Sequence, residues 1–226
     1  MVAVGWAGAG AADAQPRPPA AAGSPPRLEV SLGGSFLGGY DLGARDATLT
    51  GNRPASGERV VLFRTVTDVG SSGAFEARLG WRMTQVLVAE AGFSYAQPTL
   101  RTHVSGDFEQ ATGVVATDTI AQYVIEGALA ARLTRMAFAR GRAVPFVVAG
   151  AGYLRQLAES DRVVQTGAIF HGGGGLLWHA GVRPRGRVRA YGLRADARIN
   201  WRRGGVDLDD EVRAWPSVGA SVFLRF

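Results

Sequence analysis

The sequence predicts an all-β protein, an eight-stranded antiparallel barrel of the kind that crosses a membrane with strands, and three observations carry that prediction. From Leu28 onward the apolar residues recur at alternate positions, the period of a strand, and hardly anywhere at helical spacing. The alternating stretches number eight, an even count that an antiparallel sheet can close. The connections alternate in length. Those around Thr84, Ala139 and Gly186 are short, those at Asp41 to Gly73 and Gln97 to Asp118 are long, and both termini fall on the short side.

The first strand runs from about Leu28 to Tyr40, with Val30, Leu32, Phe36 and Tyr40 on its apolar face. The second, Ala74 to Met83, is the clearest. It sets Phe75, Ala77, Leu79, Trp81 and Met83 against Glu76, Arg78, Gly80 and Arg82. After a short Thr84-Gln85 connection the third opposes Leu87, Ala89, Ala91, Phe93 and Tyr95 to Val88, Glu90, Gly92 and Ser94, completing a hairpin. The fourth, about Thr119 to Leu133, places Tyr123, Ile125, Leu129, Ala131 and Leu133 opposite Gln122, Glu126 and Arg132. A fifth, Val144 to Gln156, is apolar or Gly on both faces, which leaves its facing open. The sixth, about Thr166 to Arg183, collects Phe170, Leu176, Trp178 and Val182. The seventh sets Tyr191, Leu193, Ala195, Ala197, Ile199 and Trp201 against Arg194, Asp196, Arg198 and Asn200, and the eighth ends through Val218, Ala220, Val222 and Leu224 at Phe226.

Alternation alone does not say which face is outside, because a soluble barrel buries its apolar face and a membrane barrel turns it outward. Large aromatics break the tie by gathering near strand ends. Tyr40, Tyr95, Tyr123, Trp201 and Trp215 lie toward the long connections, and Trp81, Trp178, Tyr191 and Phe226 toward the short ones. Two aromatic girdles flanking a band of Ala, Leu, Val and Ile are expected of a lipid-facing wall. The opposite face is rich in Gly, Ala and Ser interrupted by charges, as a narrow eight-stranded interior requires.

Composition narrows the alternatives. The chain has 226 residues, no cysteine and a formal net charge of +6, and no apolar stretch approaches the roughly 20 residues that a spanning helix needs. Without cysteine there is no disulfide framework and no thiolate metal site. All 25 basic side chains are Arg, which excludes a lysine-dependent phosphate loop and Schiff-base chemistry. The Arg residues are spread among apolar residues without a nucleic-acid-binding motif, so no nucleic-acid partner is expected. Residues 1–23 read as a signal-peptide remnant and Ala/Pro-rich leader, with a small-x-small site at Ala12-Asp13-Ala14. Residues 24–27 are a linker, and 28–226 form the barrel domain.

The residues so ordered resemble a known group, the small eight-stranded outer-membrane barrels of the OmpA and OmpX type, also called opacity-family or porin-like surface proteins. The resemblance covers about Leu28 to Phe226 and is most specific at the carboxyl end, Ser217 to Phe226. There Ser217, Gly219, Val222, Leu224 and Phe226 look like the assembly signal read by the barrel-insertion machinery, with the Gly displaced by two residues from its usual place. The resemblance implies an exported protein of the cell outer membrane, with outer-membrane lipids and lipopolysaccharide around it and an extracellular ligand that the sequence does not identify.

The inward charges are expected to form an ion-pair network that plugs the barrel: Glu29, Glu76, Arg78, Arg82, Glu90, Glu126, Arg132, Arg194, Asp196, Arg198 and Arg225. In the first hairpin Glu90 should lie opposite Gly80, with Arg78 and Arg82 as diagonal neighbours. No catalytic set, metal or cofactor is expected. His171 and His179 share a face but stand eight residues apart, too far to share a metal. His103 with Ser105 only faintly suggests a catalytic pair, with Asp107 as the sole evident carboxylate. Gly172 to Gly175 relieves crowding better than it cradles phosphate, and Asp207, Asp209, Asp210 and Glu211 read as a solvated acidic loop rather than a calcium site. Arg135, Arg140, Arg142, Arg183, Arg185, Arg187 and Arg189 gather at the short turns, either against anionic headgroups or as solubilising charge. The expected function is structural or adhesive through the long connections. A narrow solute pore, a lipid-modifying barrel enzyme and a soluble ligand-binding barrel are the alternatives.

Overall fold

The computed structural model describes residues 27–50, 59–105, 114–158, 164–183, 186–206 and 211–226. The leader through residue 26 lies outside them, as do Asp107, Arg185, Asp207, Asp209 and Asp210.

The described residues form eleven strands: β1 Leu28–Leu37, β2 Tyr40–Thr50, β3 Arg59–Val69, β4 Ser72–Arg82, β5 Leu87–Ala96, β6 Thr99–Ser105, β7 Val114–Arg132, β8 Ala143–Ala158, β9 Val164–Val182, β10 Ala190–Gly204 and β11 Arg213–Arg225. Eight of them close a barrel in the order β1-β4-β5-β7-β8-β9-β10-β11, with β11 returning antiparallel to β1. Every wall pairing is antiparallel between strands consecutive around the ring. Closure leaves no unpaired edge in the wall, the condition for a sheet to stand in an apolar medium.

The described residues of the long connections are mostly strand. The strands of one side of the barrel run on past its rim and form a four-stranded extension, β2-β3-β6 and the first residues of β7. β1 passes into β2 at Gly38-Gly39, β3 into β4 at Gly70-Ser71, and β5 into β6 at Gln97-Pro98. These breaks carry the sequence features of bends: glycine, and a proline that donates no ladder hydrogen bond. Backbone bonds hold the seams, with Gly38 N–H donating to Pro216 O at 2.8 Å and Ile120 N–H to Pro98 O at 3.0 Å. The expectation of a loop at Asp41 to Gly73 failed because β2 and β3 alternate weakly, with polar residues on both faces.

The β4–β5 turn is also one residue longer than Thr84-Gln85, because Met83 and Leu87 are joined by a hydrogen bond around Thr84, Gln85 and Val86. Thr84 Oγ1 accepts from the Val86 and Leu87 N–H groups at 3.2 and 2.9 Å, which stabilises the extra residue. Glu90 stands opposite Gly80.

The wall is inverted relative to a soluble protein. Outward positions expose Ile125 (64%), Phe36 (58%), Leu129 (57%) and Leu193 (57%), while the lumen buries Arg78, Glu90, Arg194, Asp196 and Arg198. β8, whose facing the sequence leaves open, turns Phe146, Val148, Leu154 and Gln156 inward and Val147 and Tyr153 outward.

Candidate functional site

The lumen is the site that this wall builds, and its side chains fall into layers. At the short-turn end Glu29 of β1 accepts through Oε2 from Arg132 at 2.6 Å and from Arg225 at 2.5 Å, tying β1 to β7 and β11. Arg225 also lies 2.6 Å from His179 Nε2. Arg82 stands half-buried at the same mouth, beside Glu29 and Arg225. Next comes an apolar layer of Val88, Ala130, Val144, Phe146, Val148, Leu177 and Phe223. Arg194 stacks over Phe146 at 4.4 Å and gives two hydrogen bonds to Glu90, at 2.6 and 3.1 Å.

The middle layer is continuous. Asp196 takes Arg198 at 2.6 Å, Arg194 at 3.4 Å and Arg78 at 3.5 Å. Arg78 also pairs with Glu76, and Arg198 reaches Glu126 at 3.1 Å. His171, whose side chain is fully buried, sets Nδ1 3.3 Å from the other Glu126 oxygen. Beyond lies a small cavity of about 30 Å³ whose lining includes Ser94, Gln122, Asn200 and Ser217. An apolar cap of Val124, Leu154, Ile169 and Trp215 closes it, with Leu37 and Tyr40 packed against that cap. Arg202 forms the far layer, stacked over Tyr40 at 4.8 Å and bonded to Gln156 at 3.2 Å.

The geometry thus brings together in pairs ten of the eleven charged residues expected in the lumen, leaving Arg82 near the Glu29 cluster without a direct bridge among the described residues. The partner of Glu90 is not a diagonal neighbour on β4, because Arg78 turns to Glu76 and Asp196 while Arg194 reaches straight across. His171, Gln122, Gln156, Asn200 and Arg202 also belong to the interior. Arg202 and Asn200 carry the same parity as Arg194, Asp196 and Arg198, a signal already present in the sequence.

Two aromatic assignments need correction. Tyr40 and Trp215 are not in a girdle: their rings stack inside the barrel at 4.8 Å, with Trp215 only 3% exposed. The Gly38-Gly39 break shifts the phase that would have sent Tyr40 outward, and Trp215 has the inward parity of Ser217. Tyr95 and Tyr123 stay on the outer face with ring centroids 5.0 Å apart, and Trp81, Trp178, Tyr191, Trp201 and Phe226 are each exposed outward. Val222, Leu224 and Phe226 also point outward, while Ser217 and Gly219 of the same strand point inward.

Chemistry is sparse. His103 lies 3.6 Å from Asp68, beyond hydrogen-bond distance, and no His–Ser hydrogen bond occurs among the described residues. Gly172 to Gly175 lies within β9, and the strand runs on after it to Val182. No group of three metal-ligating side chains occurs among the described residues. Glu211 pairs with Arg213 at 3.3 Å.

These features define a small closed eight-stranded antiparallel barrel with an apolar exterior and an ionic interior. No protein-family model matches the chain, and no curated protein matches it. Among solved structures it is similar to Ail, the attachment invasion locus protein of Yersinia pestis (TM-score 0.39, 12% identity, 88% of this chain and 98% of that one). It is also similar to the outer membrane protein OprG from Pseudomonas aeruginosa (TM-score 0.42, 11% identity, 89% and 97%).

Proposed function

We propose that this protein is embedded in an outer membrane as a closed, non-conducting barrel that presents its four-stranded extension as a surface for structural or adhesive contacts. One observation carries the reading. Along all eight wall strands the outward positions hold no charged side chain except Arg155 and Arg203, both at the end that bears the extension. Water would leave that belt as an aggregation-prone apolar surface far larger than soluble monomers expose, whereas hydrocarbon accommodates it. The short turns and termini then face the periplasm and the extension faces outward.

The layered lumen supports a plug over a pore, since a solute would have to part the Glu90–Arg194 bridge and the Trp215 cap in turn. The carboxyl-terminal strand, zipped to β1 from Glu29↔Arg225 to Leu37↔Ser217, is the segment we assign to recognition by the barrel-assembly machinery.

Electrophoresis of the membrane fraction in SDS, unheated beside boiled, tests embedding: a heat-dependent mobility shift is expected. Recovery in the soluble fraction with no shift would overturn it. Planar-bilayer recordings test the plug, and discrete conductance steps from the native protein would replace it with a pore.

A further inference from the structure

Among the described residues the short-turn end of the barrel is basic, without an acidic counterpart at its surface. Arg27, Arg135, Arg140, Arg142, Arg183 and Arg187 are all exposed there, and none of them makes an ion pair among the described residues. Glu29, the acid of the described residues at this end, is inside the lumen and already holds Arg132 and Arg225.

The same turns expose large apolar side chains between the cations. Met136 is 64% exposed, Phe138 53% and Val182 72%. A turn designed only for solubility would not interleave Arg135-Met136 and Phe138 with Arg140 and Arg142. An interface where hydrocarbon meets anionic headgroups satisfies both kinds of side chain.

The scaffold beneath is fixed. Phe138 and Ala143 exchange two backbone hydrogen bonds, of 3.0 and 3.2 Å, around a tip in which Ala139 and Arg140 take left-handed φ values of 52° and 59°. The Arg142 carbonyl accepts from the His179 N–H at 2.8 Å, and Ala143 pairs with Trp178, so this turn stands directly beside the aromatic row at that end of the wall.

We propose that this collar binds the phosphates of anionic phospholipids in the leaflet bordering the short turns, with guanidinium groups donating to phosphate oxygens and Met136 and Phe138 seated at the acyl boundary. The proposal rests on the membrane-embedded reading. The apolar side chains beside the aromatic row favour a lipid over an acidic polypeptide, which would leave them in water.

The test is quenching of tryptophan fluorescence in the full-length protein, reconstituted in bilayers of brominated phosphatidylglycerol or brominated phosphatidylcholine diluted with unbrominated lipid. Trp81 and Trp178 report from the collar end. Phosphatidylglycerol is expected to quench at a mole fraction on the order of tenfold lower. The R135Q/R140Q/R142Q variant should bring the two lipids within about twofold, as should about 1 M salt, while R45Q/R101Q in the extension should keep the preference. Equal quenching by both lipids, with the heat-dependent mobility shift intact, overturns the collar and leaves embedding in place. No quenching by either lipid and no shift overturns both. A preference that survives in the triple variant, or is abolished by micromolar polyglutamate, takes the site away from phospholipid.

Discussion

Glu90 and Arg194 meet across the lumen through two hydrogen bonds of 2.6 and 3.1 Å, joining β5 to β10, strands that are not neighbours in the wall. Both side chains are at most 5% exposed, so neither charge has water to fall back on. Removing one partner strands the other. Arg194→Met alone is expected to destabilise the barrel by about 3–5 kcal/mol, and the double variant Glu90→Leu/Arg194→Met to recover much of that loss. Urea unfolding in vesicles reads both, and single and double variants of equal stability would show that the bridge contributes little.

The tip of the β7–β8 turn stores strain that glycine would relieve. Ala139 has φ 52°, a region that costs an L-residue roughly 1–2 kcal/mol. Ala139→Gly is therefore expected to be neutral or to stabilise by up to about 1 kcal/mol after the added flexibility of the unfolded chain is offset. A loss of stability in the same unfolding assay would mean the left-handed conformation is not populated.

Parity along β9 predicts opposite outcomes for adjacent glycines. A Cβ at Gly173 would meet Arg198 Cα at 2.8 Å inside the lumen, whereas one at Gly172 meets the Trp201 ring at an ordinary 3.7 Å on the outer face. Gly172→Ala should leave the heat-dependent mobility shift unchanged. Gly173→Ala should cost about 1–3 kcal/mol or prevent closure. Similar behaviour of the two variants would place β9 in the wrong register.

Single-tryptophan proteins separate wall from lumen. Trp81, Trp178 and Trp201 are 52, 40 and 40% exposed on the outer face, while Trp215 is 3% exposed on the inner one. Brominated lipid is expected to quench each of the first three and to spare Trp215, and strong quenching of Trp215 would return it to the girdle.

On the extension Arg64 donates to Asp46 at 2.7 and 3.2 Å. That hydrogen bond holds the Asp46 carboxyl below its ordinary 3.8. Because the folded value is depressed, the bridge is complete at neutral pH and is lost only as pH falls through that lowered value. Carboxyl carbon NMR should give a midpoint below 3.8 for Asp46, rising to about 3.8 in Arg64→Gln. An unchanged midpoint in the variant would remove Arg64 as the cause.

Period-two alternation was enough to identify the barrel strands and to sort Phe75, Leu79, Ile125 and Leu193 from Arg78, Glu90, Arg194 and Asp196, because a strand's side chains alternate by covalent geometry alone. The Gly80↔Glu90 pairing keeps the two inward faces together, but it takes Val86 as a third turn residue, since a two-residue Thr84-Gln85 turn would set Glu90 opposite the outward Leu79. Three things required the folded molecule. The bends at Gly38-Gly39, Gly70-Ser71 and Gln97-Pro98 send strands past the rim, so weakly alternating segments became β2, β3 and β6 instead of loops. The Gly38-Gly39 break also reverses facing, which is why Tyr40 stacks on Trp215 inside. And the choice of Arg194 over Arg78 for Glu90 is made by closure, which brings β5 and β10 face to face across a lumen narrow enough for side chains to span it. Local covalent geometry thus decided which face each residue takes, while the contacts that fill the interior were decided only when the wall curved shut.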